Sequence, residues 1–214
     1  MTIDSHFDAE TLAQLPTFFE QLPEPVEIHL WGDPENFPIE HEALRLIEML
    51  SERFNNIQYR LFPRRENYPY YPVIGVMGLM EDEPVDYGVR IIGLPSGFQM
   101  TTLVAAIQCV SFRGMTSEPV TRIKLHHLTS DITLELITAS ENESGTKVAQ
   151  EIFNMAVANT HIRSYVVVGD GFPEAFVRYS INELPHLIIN GRTHLEGIVD
   201  EETILAHINR TNRL

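Results

Sequence analysis

The 214 residues are 43% hydrophobic and 9% aromatic, enough for one large domain or two small ones with a real core, and a charged share of 21% excludes global disorder. The formal net charge of -15 repels nucleic-acid phosphates and anionic membrane surfaces, leaving basic protein surfaces as the electrostatically favoured partners. The single cysteine, Cys109, excludes an internal disulfide framework, and also any dithiol–disulfide exchange run by this chain alone.

The opening MTIDSHFDAETL has neither a basic start nor an apolar segment, so no secretory signal is read there. No apolar run approaches the length of a membrane span. A cytoplasmic protein is expected. Along the chain, Leu12, Leu15, Phe18 and Phe19 have helical spacing, with a break expected at Pro16. Val26 to Trp31 alternates as a strand. An amphipathic helix follows from Pro38 to Phe54, with Ile39, Ala43, Leu46, Ile47 and Leu50 on one face, and then a strand from Ile57 to Phe62. Pro63 to Tyr71 is a polar, aromatic loop, Val73 to Met77 a buried strand, Glu81 to Asp86 an acidic turn and Gly88 to Gly93 a strand. A helix from Phe98 to Phe112 carries Leu103, Ala106, Ile107 and Val110, and Cys109 beside them. After a junction at Gly114 to Glu118, the segment Pro119 to Leu128 reads as either a helix or an extended connector.

The order then repeats: a strand at Asp131–Thr138, a helix at Thr146–Asn159, a strand at His161–Val168, and a short helix at Phe172–Ser180. His186–Ile189 and Arg192–Ile198 form strands around an Asn190-Gly191 turn, and Asp200 caps a last helix. Each half has a proline heading its third strand, Pro72 in Tyr71-Pro72-Val73-Ile74 and Pro185 in Leu184-Pro185-His186-Leu187, 113 positions apart. This shared order is read as a duplication, with one unit at residues 1–115 and the other at 116–214.

A strand–helix–strand–connector–Pro–strand–turn–strand–helix order resembles the thioredoxin fold. The run Asp86-Tyr87-Gly88-Val89-Arg90-Ile91-Ile92-Gly93-Leu94-Pro95-Ser96-Gly97 is similar to the junction strand and turn of two tandem members of that family. These are the archaeal protein disulfide oxidoreductases and the N-terminal domain of the flavoprotein subunit of bacterial alkyl hydroperoxide reductase. Asn190-Gly191-Arg192-Thr193-His194-Leu195-Glu196-Gly197 is similar to the glutaredoxin-like hairpin. The resemblance implies an α/β fold of two fused thioredoxin-like (glutaredoxin-like) units with mixed central sheets. It also implies that both prolines are cis and face the redox slot, where a C-x-x-C motif opens the first helix of each unit.

Here the motif is missing. In the second half the slot reads Asn142-Glu143-Ser144-Gly145, with Asn142 and Gly145 at the thiol positions. In the first half it falls within Gly32-Asp33-Pro34-Glu35-Asn36-Phe37-Pro38. Cys109 lies far from both slots and reads as a small buried hydrophobe. Glu141 and Glu143 complement a helix dipole, and nothing in the sequence near Ser144 activates it as a nucleophile. The acidic surroundings of Ser140 and Ser144 oppose a glutathione-using transferase. His126 and His127 point apart if the chain is extended there. His186 and His194 form a cross-strand pair that lacks a third metal ligand, and His29 and His41 flank the first slot. No G-x-G-x-x-G or P-loop occurs, so neither metal nor cofactor is expected.

The remaining candidate site is the strand edge beside the prolines (Tyr71, Pro72, Leu184, Pro185 and His186), which can pair with an extended peptide. Tyr68 and Tyr70, with Arg64 and Arg65, form a partner surface or else cover the end of the sheet. The expected function is a redox-inactive protein-binding or assembly module. The alternative is a docking component of a thiol-dependent peroxide or disulfide reduction system that uses a partner's cysteines. Self-association is left open, and the partner is a protein the sequence does not name.

Overall fold

The computed structural model describes residues 9–115 and 119–211. Helix α1 (Ala9–Phe19) leads into β1 (Val26–Trp31), α2 (Pro38–Arg53), β2 (Ile57–Phe62), β3 (Val73–Met80), β4 (Glu83–Ile92), α3 (Gln99–Ser111) and α4 (Pro119–His126). The second half runs β5 (Ile132–Thr138), α5 (Glu143–Ala158), β6 (Ile162–Val168), a 3-10 turn (Gly169–Gly171), α6 (Pro173–Tyr179), β7 (His186–Ile189), β8 (Thr193–Glu196) and α7 (Glu201–Thr211).

Three readings change, each for a local reason, and of the two readings of Pro119–Leu128 the helix is found. Pro16 does not break α1, because Leu15 and Phe19 on either side of it are fully buried and that packing outweighs the proline's local cost. Glu81 and Asp82 both have positive φ (53° and 65°) and form a two-residue turn, so β4 starts at Glu83 instead of Gly88. Helix α5 starts at Glu143, three residues early, because the Asn142 side chain caps it. Pro119–His126 is a helix, so His126 and His127 do not point apart as in a strand; their rings meet edge to face at 6.0 Å.

The expected pair of sheets is one sheet of eight strands, ordered β2-β1-β3-β4-β6-β5-β7-β8. Within each half the pairing is identical: β1 is parallel to β2 and antiparallel to β3, as β5 is to β6 and β7, and the β3–β4 hairpin corresponds to β7–β8. The halves join where β4 runs parallel to β6, Val89 opposite Ser164 through Ile92 opposite Val167. Gly88 makes this join possible. Its φ is +78°, and a Cβ there would stand 2.9 Å from the Ile162 carbonyl oxygen. One face of the sheet packs against α1–α5 and α7 through Leu46, Ile47, Leu103, Ile107, Ile152, Phe153 and Ile204. Helix α3 lies mid-layer and is buried nearly all round, matching a sequence with no charged residue. The other face is covered by α6 in the second half, but in the first half only by the Pro63–Tyr71 loop over Trp31, Val73 and Ile92.

These strand directions bring the C-terminal ends of β1, β4, β5 and β6 to one end of the sheet, the slot edge, together with the N-terminal ends of the interior strands β3 and β7. Both slots and both prolines therefore share that edge.

Candidate functional site: the slot edge

Both X–Pro bonds, Tyr71-Pro72 and Leu184-Pro185, are cis. The carbonyl of each proline accepts an amide hydrogen from the glycine that follows the partner strand: Gly93 to Pro72 at 2.8 Å and Gly197 to Pro185 at 2.9 Å. The two halves thus repeat down to single hydrogen bonds.

In the second slot Asn142 stands at the N-cap of α5 and its Oδ1 accepts the Gly145 amide at 2.6 Å. Gly145 is packed against the end of β5, so that a Cβ added there would overlap Thr138 Oγ1. The loop before the cap is held from three directions. Gln99, fully buried at the start of α3, donates its amide to the carbonyls of Ala139 (3.0 Å) and Asn142 (2.8 Å), and accepts the Thr102 hydroxyl at 2.8 Å. The Phe98 amide donates to the Ser140 carbonyl at 2.9 Å. The Asp170 carboxylate accepts both the Ser140 amide (2.7 Å) and its hydroxyl (2.8 Å). Glu143 is exposed in the first turn of α5, where a negative charge suits the helix dipole, and Ser144 is half-buried. The place of a thiol pair is occupied by a set of polar groups that satisfy one another.

Counting from the helix caps, the first slot is Phe37-Pro38-Ile39-Glu40, later than the Gly32–Pro38 stretch read from the sequence. Phe37 caps α2 as Asn142 caps α5, and both helices are 16 residues long. The connection from β1 to this cap, residues 32–36, is two residues longer than its counterpart at 139–141, and that length hid the register. Glu40 takes the second thiol position. It is 1% exposed and accepts the Asp33 amide at 2.5 Å and the Arg64 guanidinium at two of its nitrogens. The hydrogen bond to Glu40 comes first among the influences that hold Arg64 above its ordinary pKa. Arg64 also lies over the ring of Phe37 at 3.5 Å and that of Tyr71 at 5.1 Å. It ties the first slot to the residue preceding cis-Pro72.

The loop tyrosines are half-buried and cover the open face of the sheet. Tyr68 accepts from Arg90 Nε at 3.1 Å, Tyr70 stacks on Phe172 at 4.7 Å, and the Tyr71 hydroxyl accepts the Arg65 amide at 2.5 Å. Arg65 lies over Trp31 at 5.0 Å. His29 does not reach the slot, since its ring meets Glu27 at 2.5 Å. Cys109 is 1% exposed on α3, with its sulfur 4.0 Å from the Gln150 carbonyl oxygen, out of reach of a partner's thiol. Phe37, Ile39 and Phe98 stay substantially exposed on the same edge, and Ile39 packs beside Gly171 of the second half. Asp33, Glu35, Glu141, Glu143 and Asp170 lie in the loops and first helical turns of the two slots, and Arg64 lies over Phe37, so the apolar residues are bordered by more acids than cations.

His186 is 2% exposed and its Nε2 faces His194 Nδ1 at 2.8 Å. Burial first, and then the charge of His194, holds His186 below the usual imidazole range, against the pull of Glu196 and the backbone at Glu183. A His with a depressed folded pKa contributes stability that is complete above its unfolded pKa of about 6.5 and is lost as pH falls through the folded value. Hydrogen-exchange protection of β7 and β8 should therefore drop between pH 7 and 5 ahead of β1 and β3. A His186 imidazole that titrates at 6.5 or above by NMR would contradict this.

Among the described residues no group of three His, Cys, Asp or Glu side chains is placed to hold a metal, and no helix is long and apolar enough to cross a membrane. Sequence reasoning missed Gln99, Glu40, Thr138 and Asp170. Glu40 left a trace as an acid in the first turn of a helix, Thr138 packs on Gly145 only once β5 and α5 are formed, and Gln99 and Asp170 act through spatial neighbours 30 to 43 positions away.

The fold is that of two fused thioredoxin-like units joined through one mixed sheet. The chain superposes on the NTD N/C domain of an alkylhydroperoxide reductase from Enterococcus faecalis with a TM-score of 0.85 at 18% identity, over 94% of this chain and 99% of that one. It superposes on a protein disulfide oxidoreductase from Aeropyrum pernix with a TM-score of 0.82 at 18% identity, over 97% and 93% of the two chains. In sequence it is 24% identical over 203 residues to an alkyl hydroperoxide reductase subunit from Pseudomonas putida, covering 94% of this chain and 37% of the relative. The chain thus spans little more than a third of the length of the curated relatives it matches. No family model matches.

Proposed function

We propose that this chain is a redox-inactive docking module, in which units 1–115 and 116–214 each contribute one thiol-less slot and one cis-proline strand edge to a shared protein-binding surface. The observation that carries the reading is that the four thiol positions hold Phe37, Glu40, Asn142 and Gly145, and that Glu40, Asn142 and Gly145 are locked by internal hydrogen bonds or close packing. Dithiol exchange proceeds through a mixed disulfide, and neither slot holds a sulfur that could form one. The backbone beside Tyr71 and Leu184 suits pairing with an extended segment, and the apolar residues of this edge, bordered mostly by acids, suit an apolar segment flanked by cations.

A second reading, favoured by the 24% identity to the Pseudomonas putida alkyl hydroperoxide reductase protein, places the module in a thiol-dependent peroxide or disulfide reduction system. There it would hold a partner whose own cysteines carry the electrons. One experiment tests both. A photocrosslinking residue at Phe98 is expected to capture a stoichiometric protein from native extract, and Ile39→Glu should abolish the capture. Capture that survives Ile39→Glu would reject the edge as the docking surface. If the captured protein bears a peroxidase or reductase dithiol, the second reading holds, and its turnover should be unchanged by Cys109→Ser.

A further inference from the structure

Helix α4 lies at the opposite end of β5 from the slots, and it differs from most of the chain in charge. In a chain of net charge -15, residues 119–130 contain no Asp or Glu, and they carry Arg122, Lys124, His126 and His127. Cations in the last turn complement the dipole of α4, but that accounts only for the charge. Val120 and Ile123, one turn apart, are 61% and 65% exposed, and Met115 beside them is 64% exposed with its sulfur against Arg122 Nη1. The inward face is held firmly: Leu125 and Thr121 are buried, and the Asn159 side-chain amide donates to the carbonyls of Leu125 (2.7 Å) and Leu128 (3.1 Å). The helix therefore stands as a rigid ridge. An apolar cavity of about 430 Å³ beside Pro119 and Ile123 lies on one flank, and a more polar one of about 220 Å³, lined by Lys124, Thr129, Ser130 and Asn209 as well as Leu128 and Leu205, on the other.

We infer that α4 is a second docking surface and that its occupant is an acidic amphipathic helix of another protein. The partner's apolar side chains would flank Val120 and Ile123 and enter the larger cavity, and its carboxylates would face Arg122 and, across the smaller polar cavity, Lys124. Charge selects this occupant. A second copy meeting α4 with α4 would set Arg122 and Lys124 against their own equivalents. An anionic membrane would bind the two cations only against the repulsion of the remaining surface. A helix suits the site because a ridge between two hollows is the shape against which helices pack. The slot edge plays no part in this inference.

The test uses the whole chain, isotope-labelled, and a designed 18-residue peptide with leucines at helical spacing and glutamates elsewhere. Its controls replace every glutamate with lysine, or every leucine with serine. The acidic amphipathic peptide should shift the amides of residues 119–130, Leu205 and Asn209 and leave the slot edge unmoved. Arg122→Glu with Lys124→Glu should weaken it by about tenfold or more and transfer the preference to the lysine peptide. Val120→Ser with Ile123→Ser, both on the exposed face so that folding is preserved, should abolish binding of either. Equal binding of the two peptides, or no shift in α4, would overturn the inference. So would a dimer by sedimentation that Val120→Ser with Ile123→Ser converts to monomer, or binding to phosphatidylserine vesicles lost in the same variant.

Discussion

A chain carrying Asn142→Cys and Gly145→Cys should still fail to reduce insulin above background and should lose about 2–4 kcal/mol of stability. Restoring the motif would not restore the site, because the surroundings have closed on it. A Cβ at position 145 overlaps Thr138 Oγ1 and stands 3.0 Å from Thr138 Cβ, so β5 or the start of α5 must move. Overpacking of this kind costs about 1–3 kcal/mol. Losing the Asn142 cap, whose oxygen accepts the Gly145 amide at 2.6 Å, removes about 1 kcal/mol more. Thr138→Gly on the same background removes both close contacts and should let the two thiols oxidise to a disulfide. Urea unfolding, thiol titration and the insulin assay give the three readouts. If the double cysteine variant folds with undiminished stability and pairs its thiols without the change at Thr138, the slot is not closed.

Glu40→Ala is expected to cost about 2–3 kcal/mol, a large loss for a polar residue at a loop–helix junction. It removes the carboxylate that joins three pieces of chain: the Asp33 amide after β1, the start of α2, and Arg64 from the loop that leads to cis-Pro72. Breaking a buried ion pair from one side costs about 3–5 kcal/mol, and the exposure of Arg64 to water lowers the figure here. The Arg64 side chain is 36% exposed, against 1% for Glu40. Glu40→Gln keeps an acceptor for the Asp33 amide and should recover about half the loss. A double-mutant cycle with Arg64→Ala separates the ion pair from the amide hydrogen bond. Equal stability of Glu40→Ala and the parent chain would show that the first slot contributes nothing to holding the loop.

The fold was legible because its signals are local. Strand alternation, helix periodicity and the two prolines at matched places specify the repeat without any knowledge of neighbours. The second slot was legible for the same reason, since the residues after β5 lead directly to a capping Asn. The first slot was misplaced because its connection is two residues longer than that of the second half, although the start of its helix at Pro38 was read correctly. Glu27 shows the limit in another way. It looks like an exposed acid in an alternating strand, yet it is 2% exposed between His29 and Arg60, which lies opposite His29 on the parallel strand β2. Such a pairing depends on register, which exists only once the sheet has formed. Gln99 was invisible too, since its partners lie on the far side of the junction between halves.

The pairing of β4 with β6 has a consequence for any protein that touches both halves. Two modules on a flexible linker lose orientational freedom when one partner spans them, and that loss weakens binding. Here the orientation was settled during folding, by backbone pairing of Val89 to Ile92 on one side with residues 164–167 on the other. A spanning partner meets a surface whose two contact regions already stand at fixed separation, so its contacts translate into affinity with little loss to ordering.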